Sequence, residues 1–272
     1  MNRRKFYYSF LSASLCLTLA ACSTGNTQTL VQESKEAKPV AENHQTHWSY
    51  EGKTGPEHWG ELDPAFSACV NGTEQSPINI EISQINPNKE LDKIDINYQP
   101  TKFTLMNNGH TIQANFKAEN NSIILDGTTY NLVQFHFHTP SEHQFNGKNF
   151  DMELHLVHKN DTGNLAVLGI MIKEGKENEA LSNIWANLPE KETEKDIELN
   201  TTVNLPSLLP NDQKSFIYNG SLTTPPCTEE VKWIVLEQPI EMAREQIDAF
   251  QKIFSDNHRP VQPLNDREVT KQ

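Results

Sequence analysis

Beyond Asn2-Arg3-Arg4-Lys5 the 272-residue chain has no basic stretch, and its 23 Lys and Arg are outnumbered by 36 Asp and Glu. That shortage excludes a surface built to line a phosphate backbone, so no nucleic-acid partner is expected. The formal charge of -13 favours solubility. Internal repeats at a fixed period are lacking too, which sets aside solenoids and propellers. Helical periodicity is scarce. Cysteine is sparse: four residues, at 16, 22, 69 and 227. With 36% hydrophobic residues, a chain of this length suits one sizeable globular domain with appendages better than two full domains.

The N-terminus is a different kind of sequence. After the basic residues, Phe6 to Ala21 is an apolar run that ends in Leu19-Ala20-Ala21-Cys22. Residues 1–21 read as an export signal peptide; an N-terminal anchor helix is the competing reading, disfavoured by the shortness of the run. Leu19-Ala20-Ala21-Cys22 resembles the lipobox of bacterial lipoproteins, in which the cysteine is acylated and begins the mature chain. Cys22 is then a lipid anchor; the other reading is an ordinary cleavage site with a spare thiol. Removing residues 1–21 takes Arg3, Arg4 and Lys5 and no acidic residue, leaving 20 positive against 36 negative groups, a net of -16. The expected location is outside the cytoplasm, periplasmic or at the cell surface, with the membrane touched only through the lipid. In an oxidising compartment Cys69 and Cys227 are natural disulfide partners, worth roughly 2 to 5 kcal/mol; two separate buried thiols are the alternative.

From Cys22 to residue 46 the chain is Ser, Thr, Gln, Glu, Lys, Asn and Pro with hardly an apolar side chain, the composition of a flexible tether. The domain is expected over 47–272. Inside it, short alternating runs predict strands at Phe103 to Met106, Thr111 to Phe116, Ser122 to Leu125, Leu132 to His138, Met152 to His158, Ala166 to Ile172, Ser215 to Tyr218 and Val231 to Leu236. Apolar residues three and four apart predict helices at Glu177 to Leu188 and Met242 to Phe254. The fold class is therefore mainly β (α+β), a single domain with peripheral helices.

Gln134-Phe135-His136-Phe137-His138 is the most informative stretch. On a strand, residues two apart share a face, so Gln134, His136 and His138 line one side while Phe135 and Phe137 face a core. Two imidazoles so placed can chelate one metal ion, although alternating aromatics and histidines also fill ordinary sheets. Zinc chemistry needs a third protein ligand and one open position. In Met152-Glu153-Leu154-His155-Leu156-Val157-His158, His155 shares its face with Glu153 and His158 falls on the other. A metal-bound imidazole needs an acceptor for its second N–H, and Gln134 and Glu153 stand where such acceptors are useful. His155 is therefore chosen as third ligand and His158 as a core histidine.

These stretches, with Gln75-Ser76-Pro77-Ile78-Asn79, Asn108-Gly109-His110, Ser141-Glu142-His143, Gly220-Ser221-Leu222-Thr223-Thr224-Pro225-Pro226-Cys227 and Arg259-Pro260-Val261-Gln262-Pro263-Leu264, resemble the α-class carbonic anhydrases of bacterial type. The resemblance covers residues 47 to 271. It implies a large central, mostly antiparallel twisted sheet with short peripheral helices. It also implies a Zn2+ enzyme that reversibly hydrates carbon dioxide to bicarbonate and a proton. Zinc is held by His136, His138 and His155, whose free N–H groups Gln134 and Glu153 accept. Thr223 takes a hydrogen bond from the attacking zinc hydroxide and donates its own to Glu142. Val157, Val167, Leu222, Val231 and Trp233 form an apolar wall for carbon dioxide, with Thr224 beside it, and the Thr223 N–H polarises a carbon dioxide oxygen. His110 matches the family's proton-shuttle position; an exposed loop histidine without a role is the plainer reading. The resemblance also implies a Cys69–Cys227 disulfide, a cis Pro225–Pro226 bond and a buried network joining His143 to Glu153. A homodimer is possible. The alternative function is an acatalytic binding or adhesion module, for which a missing zinc histidine is the usual sign; none is missing here.

Overall fold

The computed structural model describes residues 46–85, 94–116 and 120–272. The export segment, Cys22 and the tether to residue 45 lie outside the described residues. The strands, in chain order, are β1 Asn79–Ile80, β2 Asp95–Asn97, β3 Thr101–Asn107, β4 Ile112–Asn115, β5 Ser122–Leu125, β6 Thr128–His138 and β7 Gln144–Phe145. They continue with β8 Met152–Lys159, β9 Leu165–Glu174, β10 Ile197–Val203, β11 Ser215–Gly220, β12 Val231–Met242 and β13 Thr270–Lys271. The α-helices are α1 Trp59–Leu62, α2 Ala68–Asn71, α3 Ser182–Trp185 and α4 Arg244–Gln251.

One large sheet runs β10-β3-β4-β6-β8-β9-β12-β11-β13, with β5 beside the first half of β6 and β2 outside β5. Its described pairs are antiparallel except β9 with β12, which run parallel. A parallel neighbour needs a long return connection, and residues 175–230 provide it, carrying α3, β10 and β11.

The central strands are buried on both faces, so alternation sorts two cores. Leu154 and Leu156 of β8, Leu168 and Ile170 of β9, and Ile234 and Leu236 of β12 join the larger one. That core is closed by Ile247 and Phe250 of α4. Val157, Val167, Met171, Trp233 and Val235 point the other way, into a second cluster with Ile78, Ile80 and Phe145.

Strand β6 breaks the simple alternation. Leu132 pairs with His158 and Gln134 with Val157, so Val133 is an extra residue opposite no partner. Such a bulge changes the face on which following side chains emerge. Leu132 therefore lies in the same core as Phe135 and Phe137, whereas unbroken alternation from Leu132 to His138 would place it beside the histidines. Val133 itself is exposed.

Both expected helices are shorter than the periodicity suggests. Residues 179–181 form a 3-10 turn before α3, and Pro189 restrains the residue before it, ending the helical stretch. Met242 belongs to β12, paired with Glu174, and α4 starts only at Arg244. Strand β10 escaped the pattern because its residues, Ile-Glu-Leu-Asn-Thr-Thr-Val, are mostly exposed on a sheet edge.

His158 is a fully buried imidazole of the larger core, with Nε2 2.6 Å from the Tyr98 hydroxyl and Nδ1 3.3 Å from the Ala166 carbonyl oxygen. Burial pushes its pKa down to about 4. The folded protein thus holds it neutral where the unfolded chain, titrating near 6.5, takes a proton. Its contribution is complete above about pH 6.5 and is lost as pH falls towards 4, by about 3 kcal/mol. Denaturant melts of His158→Gln between pH 7 and 4 are expected to show a shallower acid loss of stability than the parent; identical slopes would refute this.

Candidate metal centre

Strands β6 and β8 bring the histidines together. His136 pairs directly with His155, and His138 pairs with Glu153. One nitrogen from each of His136, His138 and His155 lies within 4.8 Å of the others. The second ring nitrogen of each is already engaged. His136 Nδ1 is 2.8 Å from Gln134 Oε1, and His138 Nδ1 is 2.7 Å from the Asn257 carbonyl oxygen. His155 Nε2 is 2.9 Å from Glu153 Oε1, a short contact without full hydrogen-bond alignment. These partners set the tautomers, leaving Nε2 of His136, Nε2 of His138 and Nδ1 of His155 as lone-pair donors.

Glu153 is in turn over-determined. Its Oε2 accepts from the backbone N–H groups of Glu142 and His143, and its Oε1 lies 2.8 Å from His143 Nδ1. Burial opposes its ionisation, but His143 and His155 outweigh burial and hold the carboxyl well below the usual range. Gly169 sits opposite His155, where a Cβ would approach within 3.0 Å of Glu153 Oε1. A bare backbone there makes room for the carboxylate. His143 passes the chain on, its Nε2 lying 2.6 Å from the Tyr218 hydroxyl, which lies 2.9 Å from Ser76 Oγ.

Glu142 faces the triad from the other side. Its Oε1 accepts from the Arg259 N–H, while Oε2 has no hydrogen-bond partner among the described residues and lies 3.5 Å from His138 Nε2 and 3.9 Å from His155 Nδ1. Burial pushes its pKa up; His155, the Arg259 N–H and the Thr223 side chain pull against that. His138 Nε2 is likewise buried without a partner. Buried polar atoms left unpaired are costly, and these two lie 3.5 Å apart. Burial also keeps the three imidazoles neutral, His138 with a pKa of about 4 and His136 and His155 shifted in the same direction. Neutral imidazole is the form that binds metal.

Among the described residues a second group, His143, Glu153 and His155, could also surround an ion. Its donors are spent on one another, so the His136-His138-His155 set is the one that fits zinc: three nitrogens and space for a fourth ligand.

Thr223 is buried on the loop after β11, and Thr224 beside it is half-buried. The loop is closed by Leu222 N–H to the Thr228 carbonyl and Cys227 N–H to the Thr224 carbonyl. It is tied to α2 by the Cys69–Cys227 disulfide, which spans 158 residues. The Pro225–Pro226 bond is cis. Val157, Val167, Val231 and Trp233 are buried in the second core and Leu222 packs against it. His110, in the turn between β3 and β4, stacks on Trp48 with ring centroids 3.6 Å apart.

Two participants escaped sequence reasoning. Asn257 holds His138 through its carbonyl, and its side chain donates to the carbonyls of His110 and Phe137. Arg259 serves Glu142 through its backbone N–H, while its buried guanidinium binds Gln75, Ser76 and the carbonyl of Cys69. Backbone groups carry no residue-type signal; only the position of Arg259 in a family-like segment could have hinted at it.

The profile described as eukaryotic-type carbonic anhydrase matches residues 54–272. A carbonic anhydrase of Klebsiella pneumoniae is 46% identical over 226 residues, 82% of this chain and 90% of that one. A carbonic anhydrase of a Nostoc species is 45% identical over 226 residues, covering 82% and 85%. The solved α-carbonic anhydrase of Thermovibrio ammonificans, in complex with the inhibitor sulfanilamide, superposes with a TM-score of 0.80 at 43% identity, covering 83% of this chain and 99% of that one. With the profile spanning most of the chain and such relatives aligned along it, this protein belongs to the eukaryotic-type, or α-class, carbonic anhydrases.

Proposed function

We propose that the protein interconverts carbon dioxide and bicarbonate at a zinc ion held by His136, His138 and His155. The observation that carries the reading is the gathering of one nitrogen from each of the three buried imidazoles within 4.8 Å, with His138 Nε2 unpartnered among the described residues. Zinc bound there supplies Lewis-acid chemistry that makes water a source of hydroxide near neutral pH, as is general for this enzyme class.

The chain's own residues do the rest. Gln134, the Asn257 carbonyl and Glu153 fix the ring orientations, so the donor nitrogens need not reorganise. Glu142, anchored by the Arg259 N–H, draws the Thr223 hydroxyl proton towards itself. The Thr223 oxygen is then left as an acceptor, which orients the attacking hydroxide, and the Thr223 N–H polarises a substrate oxygen. Carbon dioxide offers no charge to grip, and the wall of Val157, Val167, Leu222, Val231 and Trp233 gives it an apolar resting place with Thr224 at its edge. His110 takes the released proton and returns it to buffer, a task suited to an imidazole. Export and acylation of Cys22 would set this chemistry outside the cytoplasm on a lipid tether.

Stopped-flow carbon dioxide hydration by the purified full-length protein, before and after chelation and zinc restoration, tests the reading. Fast hydration that vanishes and returns with zinc is expected. A folded, zinc-loaded protein no faster than buffer would overturn it in favour of a binding module.

A further inference from the structure

The mouth beside His110 carries more ionisable groups than a lone relay histidine needs. A cavity of about 400 Å3 there is lined by His47, Trp48, Asn108, His110, Glu192 and Pro225. The N-terminal segment, the β3–β4 turn and the strap before β10 meet at this place.

The segment that carries Glu192 is held there by bonds of its neighbours, while the Glu192 side chain itself is exposed. Thr193 N–H donates to the Asn107 carbonyl at 2.9 Å, and Asn107 Nδ2 donates to the Pro189 carbonyl at 3.0 Å. These pin the strap to the end of β3 and bring the Glu192 carboxylate against the turn: a Cβ on Gly109 would stand 3.5 Å from Glu192 Oε2. His110 is held as firmly. Its N–H donates to Asn108 Oδ1, its carbonyl accepts from Asn257 Nδ2, and its ring lies flat on Trp48.

Burial lowers the His110 pKa, His47 lowers it further and Glu192 works in the opposite direction. The Tyr50 ring, whose hydroxyl burial keeps protonated, lies 6.5 Å from His110, and Asn257, which bonds the His110 carbonyl, is flanked in sequence by the Asp256 and His258 pair.

We propose that Glu192 is a positioning residue for the proton relay: its carboxylate, on the held segment that lines the same cavity as His110, stabilises the imidazolium that His110 forms on accepting a proton, while His47 opposes it. The proton passes through His110 to a buffer base; Glu192 neither gains nor loses it. The inference rests on the relay role given to His110 above.

The test compares zinc-loaded full-length protein with its Glu192→Gln and His47→Gln variants. Nuclear magnetic resonance titration of the His110 ring is expected to show a lower midpoint in Glu192→Gln and a higher one in His47→Gln, both differences shrinking in high salt. Stopped flow at low buffer is expected to show kcat of Glu192→Gln reduced about two- to fourfold with kcat/KM intact, because proton-transfer efficiency follows the acceptor's basicity. A His110 midpoint unmoved in Glu192→Gln overturns the proposal, as does a shifted midpoint with unchanged kcat. A parent protein without hydration activity would instead overturn the functional reading, and the relay role with it.

Discussion

His138→Ala is expected to lower carbon dioxide hydration by at least about a thousandfold, equivalent to about 4 kcal/mol of transition-state stabilisation. The imidazole is fully buried, its Nδ1 is committed to the Asn257 carbonyl and its Nε2 has no partner among the described residues. With it gone, two imidazoles remain, one short of the set a catalytic zinc site requires. Zinc measured after dialysis should fall well below one ion per chain. Because the Asn257 carbonyl also loses its donor, some stability goes as well, and circular dichroism with a denaturant melt separates a folded, metal-poor protein from an unfolded one. His158→Gln is the matched control: also a buried histidine, on neighbouring β8 and facing the larger core, so it should keep its zinc and its activity. Hydration by His138→Ala within tenfold of the parent would refute the ligand assignment.

Thr223→Ala is expected to reduce kcat/KM about a hundredfold while zinc stays bound, the cost commonly seen when one preorganised hydrogen-bonding group is removed from a site. In the proposed mechanism the hydroxyl acts between Glu142 and the nucleophile, so its loss would free the Glu142 carboxyl that the Arg259 N–H holds. Thr223→Ser keeps the hydroxyl and should recover most of the rate. Glu142→Gln should resemble Thr223→Ala, and the double variant should be little worse than either, because groups acting as a unit are not additive. If the double variant instead lost the product of the two single effects, Thr223 and Glu142 would be acting separately.

The site was readable from sequence wherever it depends on alternation. Two-residue spacing placed Gln134, His136 and His138 on one face, and the same rule chose His155 over His158. The structure has His136 opposite His155 and His158 in the larger core. The central strands were legible because their apolar residues repeat; β10 was not, since an exposed edge has little to bury. What stayed hidden acts through the backbone: the Asn257 carbonyl, the Arg259 N–H and the paired N–H groups that Glu153 gathers. The start of α4 was placed too early because Met242, apolar and well spaced for it, is claimed by pairing to β9. There a sheet contact overrode local periodicity.

Val133 gives β6 something like a shift of reading frame. Upstream of it, Tyr130 and Leu132 feed the larger core; downstream, Phe135 and Phe137 do so, and the change of parity turns the imidazoles to the opposite face. Deleting this one solvent-facing residue would leave the composition almost untouched and yet set the two halves at odds. Either the phenylalanines or the leucine would have to leave the core. Anyone grafting such a histidine triad onto another sheet must therefore copy the odd residue along with the three ligands. The instruction that aims the metal site is partly written in a residue that supplies no ligand to it.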